Sequence, residues 1–265
     1  MTLGRVATAV ADAAATLAGM PPTPVPLERT DRAPWVWGSA QAWRSRVDPH
    51  LLADALRGHP AAASVTARPD GWLELTLAPE WVADTLAQLA AGAGMPPAHL
   101  PASPAGDPVA RFEAARTAGG AAAVPPAVLT RRTLDNPAIV VLLARSRALR
   151  VAAQAAGPPP GSGGVDPAAL SALDDPADLA LLTEILDAPR RLAASGDTRP
   201  SETAAALLAV ATAYLAWEQR CPAIPTRPGE VTTAVHQARQ VISAAGLGVL
   251  ERGMALLGIS APGRM

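Results

Sequence analysis

The chain has 265 residues, a formal net charge of −1, a single cysteine (Cys221) and no lysine. This length fits one large domain or two small ones, the charge excludes a global field that attracts polyanions, and one cysteine excludes an internal disulfide framework. No run of apolar residues reaches the roughly 18 needed for a membrane span, so we expect a cytoplasmic protein with no membrane partner. All 22 basic residues are arginine, which coding bias explains without any nucleic acid.

Residues 1 to 91 alternate helix and strand signals. A helix is predicted from Leu3 to Ala18, closed by a glycine. A second begins at Asp48, a side chain typical of an N-cap, with proline at the first helical position. The segment "ASVTARPDGWLELTL" predicts a β-hairpin with its turn at Pro69-Asp70-Gly71. The sequence therefore predicts a small α+β module over residues 1–91.

Residues 92–132 differ in composition from both flanks. Their first part is rich in alanine, glycine and proline, which is typical of a linker. Residues 109–132 predict one helix followed by a loop.

From residue 133 onward every strong signal is helical. The segment "LDNPAIVVLLARSRALR" opens a helix over residues 136–156, and Asp175-Pro176 starts another. Ser201 is predicted to cap a third helix. A fourth runs from Glu230 to Ala245, where glycines at 246 and 248 are expected to interrupt it before a last short helix. Residues 133–265 thus predict an all-α bundle of four to six helices.

Catalytic and metal-binding motifs are not found. A phosphate loop needs a lysine. Ser162 lies in a proline-flanked loop and not in a nucleophile elbow. The four histidines are scattered, without metal-ligand spacing, and we expect them to be surface groups: His50, His59, His99 and His236. The sequence predicts no cofactor, no metal and no catalytic constellation.

Three arginines crowd the end of the first helix of the helical region. Arg147 and Arg150 share one face, and Arg145 points elsewhere. Guanidinium groups fork onto phosphates and stack on unpaired bases. The alternative is a solvated face on which these arginines pair with Asp or Glu. In the first module, Trp35 and Trp37 are predicted to lie in an irregular loop, where stacking on a nucleotide is feasible.

Several segments resemble class I arginyl-tRNA synthetases. "ARQVISAAGLGVLERGMALLGISAPGRM" is similar to the C-terminal helix of that family, "LDNPAIVVLLARSRALR" to the first helix of its anticodon-binding domain, and "YLAWEQRC" to an aromatic-rich stretch. The resemblance spans residues 133–265, the all-helical domain often called DALR. It implies tRNA contacts by Asn136, Arg145, Arg147, Arg150, Arg239, Arg264 and Met265. Ile139 and Val140 depart from the family, which is Tyr-rich there.

The first module resembles the additional N-terminal domain of the same enzymes, which contacts the tRNA elbow. The segments that carry this likeness are "ERTDRAPWVW", "DPHLLADAL" and "ASVTARPDGWLELTLAPEWV". Trp35 takes the place of the aromatic residue of the family, and Trp37 lies beside it. Val36 and Gly38 replace the Gln and Asn that read a D-loop base, which leaves stacking as the surviving contribution.

The catalytic domain of the family has no counterpart in this chain. The HIGH and KMSKS motifs are not found, and residues 109–132 are too few for a nucleotide-binding sheet, although they resemble the exit of that domain. The resemblance therefore implies a non-catalytic protein that binds tRNA, with tRNA-Arg as the expected partner, and that does not bind DNA. It further implies that the protein acts as an adapter or regulator, beside a full-length synthetase or a tRNA-using enzyme. The alternatives are a protein-interaction module that has lost RNA binding, and an enzyme completed by a separate catalytic subunit.

Overall fold

The computed structural model describes residues 3–23, 25, 27–30, 35–92, 107–155, 165–195 and 199–260. The chain divides into two compact units, Met1–Thr85 and Leu86–Met265. The division falls near the end of the first predicted module. Residues 107–132, predicted as linker and possible catalytic remnant, belong to the second unit.

The first unit combines a small antiparallel sheet with helices. The sheet order is β1-β2-β4-β3, and every neighbouring pair is antiparallel. Its elements in chain order are α1 (Leu3–Ala18), β1 (Glu28–Arg29), β2 (Val36–Ser39), α2 (Gln41–Ser45), α3 (Pro49–Leu56), β3 (Ala62–Ala67), β4 (Leu73–Leu77) and α4 (Pro79–Ala90), the last of which crosses into the second unit.

Local sequence signals determine most of these boundaries. The Asp48 carboxylate accepts the backbone N–H of His50 at 2.8 Å and begins α3, as predicted. Gly71 has φ +84° in the turn between β3 and β4, a conformation that favours glycine. Alternate residues of β4 are buried because one face of the sheet packs on the core. The predicted first helix and hairpin are therefore confirmed.

Trp37 does not lie in an irregular loop, which corrects the sequence prediction. It belongs to β2, pairs with Leu75 of β4, and is 1% exposed. The tract around Trp37 contains prolines and an Asp, which are uncommon in strands. The sequence pattern therefore did not indicate a strand of only four residues.

The second unit is helical among its described residues. Its elements in chain order, after the end of α4, are α5 (Pro108–Thr117), α6 (Pro126–Leu129), α7 (Pro137–Gln154), α8 (Pro167–Ser171), α9 (Pro176–Ser195), α10 (Pro200–Arg220) and α11 (Ala234–Leu256). In coarse form, both parts of the predicted fold class are present: a small sheet with helices, and a helical region.

Helix α10 occupies the middle of the second unit. It contacts α5, α7, α9 and α11. Its largest side chains, Tyr214 and Trp217, are fully buried with ring centroids 5.2 Å apart. The Tyr214 hydroxyl lies 2.6 Å from the Ser243 hydroxyl of α11, so the buried phenol has a hydrogen-bond partner.

Two predicted helix boundaries are wrong. Helix α10 begins at Pro200, with Arg199 and not Ser201 at the N-cap. Helix α11 begins after Thr233 and runs without interruption through Gly246 and Gly248. Glycine in a helix interior costs only about 1 kcal/mol, which tertiary packing overrides.

Some predicted features lie outside the described residues. They are most of the linker, the loop that contains Ser162, His99, the Asp31–Pro34 segment before Trp35, and the terminal Arg264 and Met265.

Candidate functional site

The start of α7 is built around Asn136. Its side-chain oxygen accepts the N–H of Ala138 at 3.2 Å, which caps the helix. Its Nδ2 donates to the carbonyls of Leu129 and Arg131 at 3.1 and 3.2 Å. Asn136 is fully buried. In this structure it joins the preceding turn to α7 and presents no surface to an RNA, contrary to the expected role.

The other end of α7 carries a charged cluster on the solvent side. Arg147 Nη1 and Arg150 Nη2 donate to the same Oε1 of Glu218, on α10, at 3.3 and 2.5 Å. The two arginines therefore share a face, as the sequence predicted. Their side chains are 40% and 50% exposed. Two guanidinium groups share one carboxylate, so this Arg147–Glu218–Arg150 cluster keeps one net positive charge.

Arg145 points away from this cluster, as predicted, and pairs with a different carboxylate. Its Nη2 donates to Glu251 of α11 at 2.9 Å. The Arg145 side chain is largely buried, whereas that of Glu251 is about half exposed. This pair joins α7 to α11 and leaves Arg145 less accessible than the cluster.

Arg239 is held by a buried carboxylate. Its Nη2 donates to Asp178 Oδ2 at 2.8 Å, and its Nε donates to Asp178 Oδ1 at 3.1 Å. Asp178 is fully buried on α9 and also accepts the Trp217 indole N–H at 2.7 Å. Breaking such a pair leaves a buried charge without its partner and costs about 3–5 kcal/mol. Arg239 therefore has a structural role in linking α9, α10 and α11.

Cys221 lies beside this buried network. Burial, together with the nearby Asp178 carboxylate, raises the pKa of its thiol to about 12. Because the thiolate is the reactive form of cysteine, this residue is unsuited to nucleophilic chemistry at neutral pH. The sequence interpretation of Cys221 as a small buried residue is confirmed.

A surface groove of about 470 Å³ adjoins the cluster. Arg150, Gln154 and Glu218 contribute polar groups to its lining, and the segment from Pro222 to Thr226 provides much of the remaining wall. The groove thus combines apolar walls with groups that bind phosphate or the edge of a base.

The two tryptophans of the first unit have different environments. Trp35 is partly exposed in the turn before β2, and its carbonyl accepts the N–H of Leu77 at 2.8 Å. Trp37 is buried in the sheet and cannot stack on a nucleotide. Gly38 packs close to the ring of Trp72, which a Cβ would approach to 3.2 Å. Trp35 is therefore the aromatic candidate that retains an exposed surface.

His236 is not a surface group, which corrects a further expectation. It is 7% exposed, and its Nδ1 accepts the N–H of Thr233 at 3.2 Å while its own N–H donates to the Thr233 hydroxyl. This reciprocal capping box begins α11.

Within the described ranges, no cluster of His, Cys, Asp or Glu could hold a metal ion. In that same part of the chain, no helix has the length and hydropathy needed to cross a bilayer.

Sequence reasoning missed the carboxylates that organise the site. Glu218 is 71 residues from Arg147, and Asp178 is 61 residues from Arg239. Neither separation leaves a local pattern. No sequence pattern indicated the burial of Asp178. An acidic residue in the first turn of a helix normally lies at the surface, where it stabilises the helix dipole.

Comparisons with known proteins identify relatives. The chain is 34% identical over 142 residues to an arginine–tRNA ligase of Clavibacter sepedonicus, and 34% identical over 145 residues to one of Kineococcus radiotolerans. A third, from Pseudarthrobacter chlorophenolicus, is 34% identical over 143 residues. No family model matches the chain. These alignments cover 52–53% of the chain but only 24–26% of the relatives, so the chain spans about a quarter of the length of the curated relatives it matches. Over about half of its length, the chain is related to arginine–tRNA ligases.

Proposed function

We propose that this chain is a non-catalytic tRNA-binding protein of arginyl-tRNA synthetase descent. The observation that carries the proposal is the Arg147–Glu218–Arg150 cluster, which keeps a net positive charge at the rim of a groove. The related proteins named above are arginine–tRNA ligases. We therefore propose tRNA as the partner, with an arginine isoacceptor as the first candidate.

The physical chemistry of the cluster suits an anticodon loop. Guanidinium groups bind phosphates through paired N–H donors and stack on unpaired bases. The adjoining groove is large enough for an unpaired base. The partly exposed Trp35 would add a separate contact to the tRNA elbow by stacking. The terminal Arg264 and Met265 remain predicted contacts outside the described residues.

The non-catalytic part of the proposal rests on the sequence. The chain contains no lysine, so it cannot supply the lysines of the KMSKS motif that the family uses. A tRNA-binding chain without this motif would serve as an adapter that delivers tRNA to another enzyme, or as a regulator of a full-length synthetase.

The sharpest test is to remove the carboxylate that neutralises one of the two positive charges of the cluster. Glu218→Gln deletes one negative charge and releases two guanidinium groups toward a phosphate. We expect the affinity for an arginine-isoacceptor transcript to rise roughly fivefold, since a surface ion pair is worth up to about 1 kcal/mol. Fluorescence anisotropy with labelled tRNA measures this change.

Glu202→Gln is the matched control. Glu202 lies on the same helix as Glu218 and also pairs with an arginine, Arg199, at 2.9 Å. Both side chains of this control pair are exposed. We expect it to leave tRNA affinity unchanged. An unchanged affinity in Glu218→Gln, or no tRNA binding by the wild-type chain at low salt, would contradict the proposal.

A second candidate is a protein-interaction module that has lost RNA binding. The full engagement of Arg239 by Asp178 and the pairing of Arg145 with Glu251 favour it, because both arginines serve the fold. Purification of the chain from its source cells separates the candidates. A protein partner without nucleic-acid absorbance supports the second.

A further inference from the structure

The first unit exposes an apolar surface that the proposed function does not use. Its centre is Trp43 on α2, which is 71% exposed. Leu17, Met20 and Leu51 are also exposed, at 42%, 53% and 56%. We call these four side chains, with Arg44 and Arg46, the Trp43 surface. Contiguous apolar patches of more than roughly a few hundred Å² are uncommon on soluble proteins and often mark a binding site.

The Trp43 surface contains two adjoining grooves. One, of about 660 Å³, is lined by Trp43 and Pro49. The other, of about 720 Å³, is lined by Leu17, Met20 and Leu51. Arg44, Arg46 and Val47 line both grooves and form their common wall. The exposed apolar groups are therefore parts of one continuous concave surface.

The charge on this surface is positive. Among the described residues, the structure records no ion pair and no side-chain hydrogen bond for Arg44 or Arg46. Asp48 also lines the second groove and contributes one negative charge, so that with Arg44 and Arg46 the surface keeps one net positive charge. Two guanidinium groups for which the described part of the chain provides no carboxylate partner thus rim an apolar depression.

We propose that the Trp43 surface docks an amphipathic helix of another protein, whose apolar side chains are flanked by Asp or Glu. Trp, Met and Arg are enriched at the centres of protein interfaces, and Trp and Arg dominate binding hot spots. An apolar helix face fills a groove of this kind. The acidic flanks are the complement of Arg44 and Arg46.

Other occupants fit less well. A single RNA strand needs successive aromatic faces for its bases, and three of the four exposed apolar residues here are aliphatic. A second copy of the chain, joined face to face about a twofold axis, would bring Arg44 and Arg46 against the same cations. The proposal uses residues of the first unit only and does not rest on tRNA binding by the second.

A photo-crosslinker at the centre of the surface tests the proposal. Trp43 is replaced by p-benzoylphenylalanine in the full chain, in the source cells, and the crosslinked peptide is sequenced. Leu134 is the matched control position, because it is 62% exposed in the second unit. We expect a crosslink specific to position 43, to a segment with an apolar helical face and flanking carboxylates.

Binding of the synthetic peptide that spans this crosslink then measures the chemistry. Trp43→Ala should weaken binding at least tenfold, about 1.4 kcal/mol. The double variant Arg44→Glu with Arg46→Glu should weaken it tenfold or more, and a peptide with Lys in place of its acids should bind that variant again. Circular dichroism melting of each variant controls for folding, which exposed side chains should leave intact.

Four results would overturn the proposal. They are a crosslink to RNA, a crosslink to a second copy of the chain, no crosslink beyond that of the Leu134 control, and a partner segment whose binding is unaffected by the charge exchange. The first would point to a nucleic-acid surface and the second to a homodimer.

Discussion

Arg46 has a backbone conformation that normally belongs to glycine. Its φ is 55° and its ψ 37°, at the residue that follows α2. The Arg46 N–H donates to the Trp43 carbonyl, and the Val47 N–H donates to the Ala42 carbonyl, at 3.3 and 3.1 Å. This pair of hydrogen bonds is the Schellman ending of a helix, in which the left-handed residue is usually glycine.

The strain at Arg46 gives the first stability prediction. Because a left-handed residue with a Cβ costs about 1–2 kcal/mol, Arg46→Gly should raise the free energy of unfolding by about 1 kcal/mol after the entropy cost of glycine. Arg46→Ala removes the same charge but keeps the Cβ, so it should not stabilise the chain. Urea denaturation compares the two variants.

Equal stability of Arg46→Gly and Arg46→Ala would show that the left-handed conformation costs nothing there. The same glycine variant loses one cation of the Trp43 surface and should bind the partner peptide more weakly. A gain in stability with a loss of binding is the expected behaviour of strain kept at a functional position.

Individual residues also show which sequence inferences were within reach. The cap at Asn136 follows from an Asn-Pro pair before an apolar run, a purely local signal. Its complete burial depends on the carbonyls of the preceding turn, which fold back over it, and no local pattern specifies that fold. A residue of the right type for RNA contact was therefore assigned a surface role that its surroundings deny.

Helix α11 shows the same limit for whole elements. Two of its glycines lie against neighbouring helices. A Cβ on Gly253 would come within 2.5 Å of Leu207 Cδ2 and 2.9 Å of Leu207 Cγ, on α10. A Cβ on Gly246 would meet Ile185 and Tyr214 at 3.4 and 3.5 Å, which is ordinary contact. From the sequence we expected Gly246, and not Gly253, to interrupt the helix, and only packing shows which of the two tolerates a side chain.

A matched pair of alanine substitutions follows from these distances. Gly253→Ala should destabilise the second unit by about 1–3 kcal/mol, because Leu207 is fully buried and cannot move aside without disturbing the core. Gly246→Ala should be neutral or stabilise by up to about 1 kcal/mol through helix propensity. Thermal melting of both variants tests the pair, and a Gly253→Ala melt that matches the wild type would refute the close approach of α10 and α11.

Elements that begin with strong local signals were predicted well. Helices α1, α3, α7 and α9 start at or next to the residues expected. The short strand β2 and the short helices α2 and α8 were missed, since four or five residues carry too little periodicity to register. Short elements depend on partners distant in sequence.

For the whole molecule, charge pairing is the property that sequence could not supply. The sequence left open whether the arginines of α7 contact RNA or pair with acids. The structure pairs Arg145 with Glu251, and pairs Arg147 and Arg150 with the single Glu218. The pairing with Glu251 weakens the hypothesis that Arg145 contacts tRNA. The hypothesis is retained for the Arg147–Glu218–Arg150 cluster, because two arginines there share one carboxylate.

A chain with a net charge of −1 cannot bind RNA through a general field. If the cluster supplies two phosphate contacts, their loss in the double variant Arg147→Ala with Arg150→Ala should make the slope of log affinity against log salt shallower by about 1.4–1.8. Arg199→Ala, which removes an exposed arginine paired with Glu202 in the same unit, should change that slope by much less. Anisotropy titrations of a tRNA-Arg transcript at four or more salt concentrations give the slopes. Equal slopes for the wild type and the double variant would mean that the phosphates contact some other part of the chain, and the cluster would then be a structural ion pair alone.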